Sequence, residues 1–166
     1  DADPWVEVHN LGPGPVSLAG FWLSDDAANP KKWALPSQTL ADGAFLVVWL
    51  DGETNEGSDH ASFRASAAGG TLLLSSDTGG TQTLVDSVGY PALAAGRGFA
   101  RQGLSGSSWS TTFLPTAGGA NPAAGAASAP GSEALRINEL MADNGTALAD
   151  PDEAGADIFL NGESGG

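Results

Sequence analysis

Hydrophobic and polar residues alternate along several short segments of this chain, and a period of two predicts β-strands. In residues 5–9, Val6 and Val8 fall on one face while Glu7 and His9 fall on the other. In residues 20–24, Phe21 and Leu23 share a face. Further strand-like segments are residues 16–18, 32–36, 70–75 and 83–90.

Turn-forming residues separate these segments. The Ser, Asp and Gly residues at 76–80 lie between two strand-like segments, which predicts a β-hairpin. Residues 44–50 are apolar on both faces, a pattern that predicts a central strand covered on both sides. No helical pattern of apolar residues persists for a dozen residues, so the sequence predicts an all-β protein.

The composition changes after Thr116 to Ala, Gly, Pro and Ser, and this continues to about Ser132. A segment without apolar anchors cannot offset its ordering entropy, so it is predicted to be a linker. We therefore divide the chain into a β-sandwich that lacks its first strand (1–122), a flexible linker (123–134), and a strand with an acidic loop (135–166). This last part is expected to complete the same sandwich or a neighbouring one.

Several segments, taken in order, resemble the lamin tail domain as it occurs in bacterial extracellular proteins. They include Trp5-Val6-Glu7-Val8-His9-Asn10 and the closing Pro115-Thr116-Ala117-Gly118-Gly119-Ala120-Asn121. The others are residues 18–26, 29–36, 45–52, 60–63, 70–74, 86–88 and 96–97. The resemblance covers residues 1 to about 122 and implies an immunoglobulin-like β-sandwich.

The first strand of that family resembles residues 137–144, which come last in this chain. Such an order is that of a circular permutant or of a window cut across tandem repeats. Residues 157–161 lack the Trp and Glu of residues 3–10, which weakens the tandem interpretation. A sheet that lacks one strand has an open edge that invites pairing. The candidate assembly strand consists of Arg136, Ile137, Asn138, Glu139, Leu140 and Met141.

The resemblance implies a non-catalytic binding or attachment module of a secreted or surface protein, located extracellularly or at the cell surface. Its partners would be neighbouring domains of a larger protein or other copies of itself. The alternative is a structural subunit whose C-terminal strand inserts into the open edge of the next molecule, which builds fibres or oligomers.

The charge of the chain restricts its partners. The sequence contains 6 Lys and Arg residues and 20 Asp and Glu residues, so its net charge is -14. Such a charge repels the phosphate backbone and disfavours binding to nucleic acid. No apolar run approaches the roughly 18 residues of a membrane span, so no membrane insertion is expected. Cysteine is absent, which excludes disulfides and thiolate chemistry.

The sequence offers no convincing catalytic site. No Gly-x-Ser-x-Gly elbow follows a strand, and the only histidines are His9 and His60. We expect His60 to pack beside Phe63 and to form a hydrogen bond with a backbone carbonyl. The chain is therefore predicted not to be an enzyme.

Calcium is the one candidate cofactor. Hard cations prefer clustered oxygen ligands, and the loop after the last strand concentrates them. The candidate ligands are Asp143, Asp150, Asp152 and Asp157. A solvated acidic loop without an ion is the alternative for the same residues.

Five tryptophans raise the possibility of a carbohydrate partner, because aromatic faces stack on sugar rings. Core packing explains most of them, and we assign Trp33 and Trp49 to the core. Trp22 lies opposite Phe21 and Leu23 in its strand, so we expect it to be the exposed aromatic that could face a cell-surface glycan.

Overall fold

The computed structural model describes residues 3–77, 80–103, 107–121 and 135–142. These residues form only short strands and contain no helix, which confirms the predicted all-β class. The strands are β1 (Trp5–Asn10), β2 (Val16–Ser17), β3 (Phe21–Ser24), β4 (Trp33–Ala34), β5 (Thr39–Leu40), β6 (Phe45–Trp49), β7 (Gly70–Ser76), β8 (Thr83–Tyr90), β9 (Gly98–Arg101), β10 (Trp109–Thr112) and β11 (Leu135–Met141). No membrane-spanning helix is found among the residues that the structure describes.

The larger sheet has five antiparallel strands in the order β10-β9-β11-β1-β6. Its middle strand, β11, is the last of the described strands in chain order. β11 pairs with β1 from Trp5↔Met141 to Asn10↔Leu135, and its other edge pairs with β9. All six residues of the candidate assembly strand lie in β11. The predicted linker lies outside the described residues, so the domain boundaries remain predictions.

The second sheet has four strands in the order β4-β3-β7-β8. The hairpin predicted around residues 76–80 is present as the β7–β8 pair. A short β2–β5 ladder forms a separate two-stranded sheet. Apolar side chains of the two larger sheets meet in one core, and among them are Val6, Val8, Ile137, Leu140, Leu23, Leu72, Leu74 and Val88. The architecture is an immunoglobulin-like β-sandwich, as predicted.

The apolar segment 44–50 predicts a central strand, and that prediction is wrong. Among the described strands, β6 is at the edge of its sheet and pairs there with β1 alone. Residues 59–61 lie along its other side, where Trp49 N–H donates to Asp59 O at 2.9 Å. Burial of both faces produces the apolar pattern, but the pattern carries no information on the number of neighbouring strands.

Two of the tryptophans lie in a second apolar cluster, on the outer face of the five-stranded sheet. Trp5, Trp49 and Met141 pack together there and are almost fully buried. Trp49 is thus buried as predicted, although not between the sheets. Trp33 is partly buried against the main core.

The burial of β11 predicts that its core residues contribute strongly to stability. Ile137 is fully buried in the main core, so we expect Ile137→Ala to lower the free energy of unfolding by about 2–5 kcal/mol. Leu84→Ala is the matched control, because Leu84 is 60% exposed and its loss should cost less than about 0.5 kcal/mol. Urea denaturation measures both; equally small losses would contradict the position of β11.

Candidate functional site

The candidate assembly strand contacts the rest of the protein through both of its faces. Ile137 and Leu140 point into the main core, whereas Met141 belongs to the outer cluster with Trp5 and Trp49. The register places Glu139 directly opposite Glu7 of β1. Both carboxylate side chains are fully buried on the outer face of the sheet. The candidate site is therefore the position in the sheet that β11 occupies, together with the two buried acids on its outer face.

A β-bulge in β11 adds an amide to these acids. The register shifts between Glu7 and Val8, so that Asn138 has no partner residue in β1. Its Nδ2 donates to Glu7 Oε1 at 2.6 Å. The bulge thus directs Asn138 to the same group of buried polar side chains as Glu139.

A segment that we call the clasp, residues 116–121, covers this polar group. Thr116 N–H donates to Glu139 Oε2 at 2.8 Å, and Gly118 N–H donates to Glu7 Oε2. Gly118 has a φ of +79°, a left-handed conformation that glycine adopts without steric cost. Ala117 packs against the outer tryptophan cluster. Each buried carboxylate therefore accepts at least one backbone N–H of the clasp.

Asn121 fixes the far end of the clasp. Its Nδ2 donates to Arg101 O at 2.8 Å and to Asn138 O at 3.0 Å. These carbonyls belong to β9 and β11, so one side chain joins two strands. Thr116 Oγ1 lies 2.9 Å from Asn121 Oδ1 and 3.2 Å from Glu139 Oε2, so its one proton is shared between the far end of the clasp and the buried acid. The clasp and β11 are thus held as one unit.

Burial changes the proton affinity of both acids. It raises the pKa of Glu7 from 4.5 to about 7, although the donors Asn138 and Gly118 oppose the shift, and the nearby Glu139 carboxylate adds to it. Burial also raises the pKa of Glu139, against the hydrogen bonds from Thr116. Glu139 Oε1 is buried and has no hydrogen-bond partner among the described residues, and such an oxygen is costly to bury in ionised form.

Sequence reasoning named Glu7 and Glu139 only as strand positions. Each lies in a strand whose inward-facing neighbours are apolar, which is compatible with an ordinary solvent-facing acid. Their proximity depends on the β1–β11 register, and their burial depends on the clasp. No local pattern in the sequence marks either acid as buried.

The predicted calcium ligands, the predicted exposed tryptophan and His60 do not belong to this group of buried polar residues. Asp143, Asp150, Asp152 and Asp157 lie outside the described residues. Trp22 is only half-buried, but its Nε1 is inaccessible and Lys31 Nζ lies 5.8 Å from the ring centroid. The hydrogen-bond acceptor predicted for His60 was a backbone carbonyl, whereas its Nδ1 bonds the Asp51 carboxylate at 2.6 Å. The buried acid is a stronger acceptor than a neutral carbonyl.

Comparison with known proteins identifies a family. The family model described as Lamin Tail Domain matches residues 1–92 of the 166 residues, which confirms the resemblance seen in the sequence. No curated protein and no solved structure matches the chain. The lamin tail domain is an immunoglobulin-like domain that is often a binding module and is generally not an enzyme.

The raised pKa of Glu7 predicts a pH-dependent contribution to stability. Between pH 4.5 and about 7 the native state holds a proton that the unfolded chain has released, so this contribution to the free energy of unfolding falls as pH rises. Glu7→Gln should remove that dependence. Denaturation of both proteins from pH 5 to 8 should show wild type losing up to about 3 kcal/mol relative to the variant.

The comparison with a variant is needed because other groups titrate in the same range. Burial lowers the pKa of His9, which makes stability rise with pH and opposes the Glu7 effect. Glu53→Gln is the control for a lost negative charge, since Glu53 is exposed. Parallel stability curves for wild type and Glu7→Gln would contradict the assigned pKa.

Proposed function

The chain belongs to the lamin tail domain family, and we propose that it is a non-catalytic binding or attachment module of an extracellular or surface protein. The observation that supports this proposal best is the closure of the five-stranded sheet by the chain's own β11. A closed sandwich of this family can fold as a unit and present its surface to a neighbour. The net charge of -14 suits a solvent-exposed module.

Two adjacent apolar side chains support contact with a protein partner. Phe113 and Leu114, just before the clasp, are 72% and 73% exposed, and Arg97 stacks on the Phe113 ring. Exposed apolar pairs of this kind favour protein contacts. We therefore propose neighbouring domains of a larger protein as partners. A cell-surface glycan is a weaker proposal, because Lys31 lies over the Trp22 ring.

A structural subunit assembled by strand exchange is the second candidate function. β11 forms hydrogen-bonded ladders with β1 and with β9. A β11 from another copy, in the same register, would satisfy the same backbone groups and the same buried acids. Exchange of this type is heterologous and leads to rings or open fibres.

Calcium binding by Asp143, Asp150, Asp152 and Asp157 is also a proposal. The Trp5↔Met141 pair places the end of β11 beside the start of β1. Asp3 lies at that end and is 2% exposed, with Oδ1 bonded to Arg64 at 2.8 Å. Asp3 would therefore add a buried carboxylate near the beginning of the acidic loop.

The mass in solution distinguishes the two functions. We expect light scattering on a sizing column to show a monomer for the full chain, because β11 completes its own sandwich. A chain that ends at Ser132 should lose its fold or aggregate, since it lacks a central strand. Circular dichroism and the elution profile measure this loss.

Oligomers of the full chain would favour the structural subunit instead. A synthetic peptide of residues 136–143 is the decisive addition, because it should occupy an open β11 position and cap a fibre. A peptide carrying Ile137→Asp is its control, because Ile137 is fully buried in the main core and a carboxylate there should prevent the peptide from occupying the β11 position. Oligomers that disappear with the first peptide alone would overturn the module proposal.

A further inference from the structure

The loop after β6 is a second group of titratable residues, remote in sequence from β11. The chain turns at Asp51-Gly52, where Gly52 has a φ of +87°. Residues 59–61 then run parallel to the end of β6, and Ala61 N–H donates to Trp49 O at 2.8 Å. Gly52 N–H donates to Ala61 O at 3.1 Å and closes the base of the loop. The fold thus brings residues 51 and 60 together.

Three metal-binding side chains converge inside this loop. Asp51, Glu56 and His60 each offer one ligand atom, and these atoms lie within 4.8 Å of one another. His60 Nδ1 is 2.6 Å from Asp51 Oδ2 and 3.9 Å from Glu56 Oε2. The Asp51 and His60 side chains are fully buried, whereas that of Glu56 is 23% exposed.

We propose that Asp51, Glu56 and His60 bind a divalent transition-metal ion such as Zn²⁺. An imidazole nitrogen with two carboxylate oxygens is a ligand set that zinc and its first-row neighbours accept. Donors at about 2.1 Å from a tetrahedral ion lie roughly 3.4 Å apart. The 3.9 Å separation of His60 Nδ1 and Glu56 Oε2 is close to that value. The 2.6 Å separation of His60 Nδ1 and Asp51 Oδ2 is that of a hydrogen bond, so the ion would replace the bonded proton, which passes to solvent, and would move these two atoms apart.

Neighbouring groups orient these ligands. Asp51 Oδ1 accepts the Glu53 N–H at 2.8 Å, which leaves Oδ2 directed at His60. The Trp49 ring stacks on the imidazole with centroids 6.2 Å apart and holds its plane. Such supporting contacts determine the geometry and affinity of metal sites. The exposed part of Glu56 gives the ion a path from solvent.

The site differs from a general attraction of cations to an acidic protein. Asp51 and His60 are too buried to act through surface charge alone, and Glu56 supplies the ligand that solvent can reach. Neutralising Glu56 should therefore weaken binding by far more than neutralising another acid of the same loop. Glu53 is that matched acid, because its side chain is exposed and its backbone makes the contacts with the site: its N–H donates to Asp51 Oδ1, and its carbonyl accepts from Glu56 N–H.

The test is a titration of the full chain with Co²⁺, a spectroscopic substitute for Zn²⁺, and with Zn²⁺ by calorimetry. We expect one ion with the ligand-field bands of a nitrogen–oxygen site. Glu56→Gln should weaken its binding at least tenfold, and Glu53→Gln should leave it unchanged. Equal effects of the two substitutions would overturn the proposal, because they would indicate non-specific attraction.

Proton NMR provides a second measurement that does not depend on the variants folding. The chain has only two histidines, and His9 lies in β1, stacked on Phe45. Co²⁺ at one equivalent should shift or broaden the His60 ring signals and leave those of His9 in place. Unchanged His60 signals would overturn the proposal, even if the ion binds elsewhere on the chain. This outcome is independent of the oligomeric state set by β11.

Discussion

The structure depends on the pairing of Glu7 with Glu139 beneath the clasp. These two acids lie opposite each other on neighbouring strands, and together they accept two backbone N–H groups of residues 116–121. Burial of apolar side chains alone would hold β11 in the sheet, but it would not determine that the clasp covers the outer face of β11. The acids connect the sheet, the bulge at Asn138 and the clasp in a single hydrogen-bonded network.

Burying two acids in this position costs free energy. We infer that the acids in return specify the register in which β11 pairs with β1. Strands with period-two patterns tolerate shifts by two residues, because the apolar face is kept. A shifted β11 would move Glu139 away from Thr116 and would leave the Glu7–Asn138 hydrogen bond unmade. Buried donors without partners are costly, so the polar network excludes the alternatives that apolar packing permits. The same selectivity would apply to a β11 supplied by another molecule.

Period-two patterns and turn residues are local, so they predicted the strands, whereas the sandwich was predicted from the resemblance to the lamin tail domain. The sequence also identified the strand ending at Met141 as the one that completes a sheet. Local patterns could not reveal that β6 lies at a sheet edge, or that Glu7 and Glu139 meet, because both follow from pairing between distant segments. The His60–Asp51 bond was missed for a similar reason: the turn at Gly52 decides which acceptor His60 reaches.

Trp49 connects β11 with the loop after β6. The Trp49 side chain packs with Trp5 and with Met141, the last residue of β11, in the outer cluster. The Trp49 ring also stacks on the His60 imidazole. An ion held by His60 would restrain that ring and, through it, the indole on which Met141 packs. Thermodynamic linkage makes such an effect reciprocal: a change that stabilises β11 in the sheet would also raise the affinity for the ion. The fold thereby joins completion of the sheet to the chemistry of a loop at its edge.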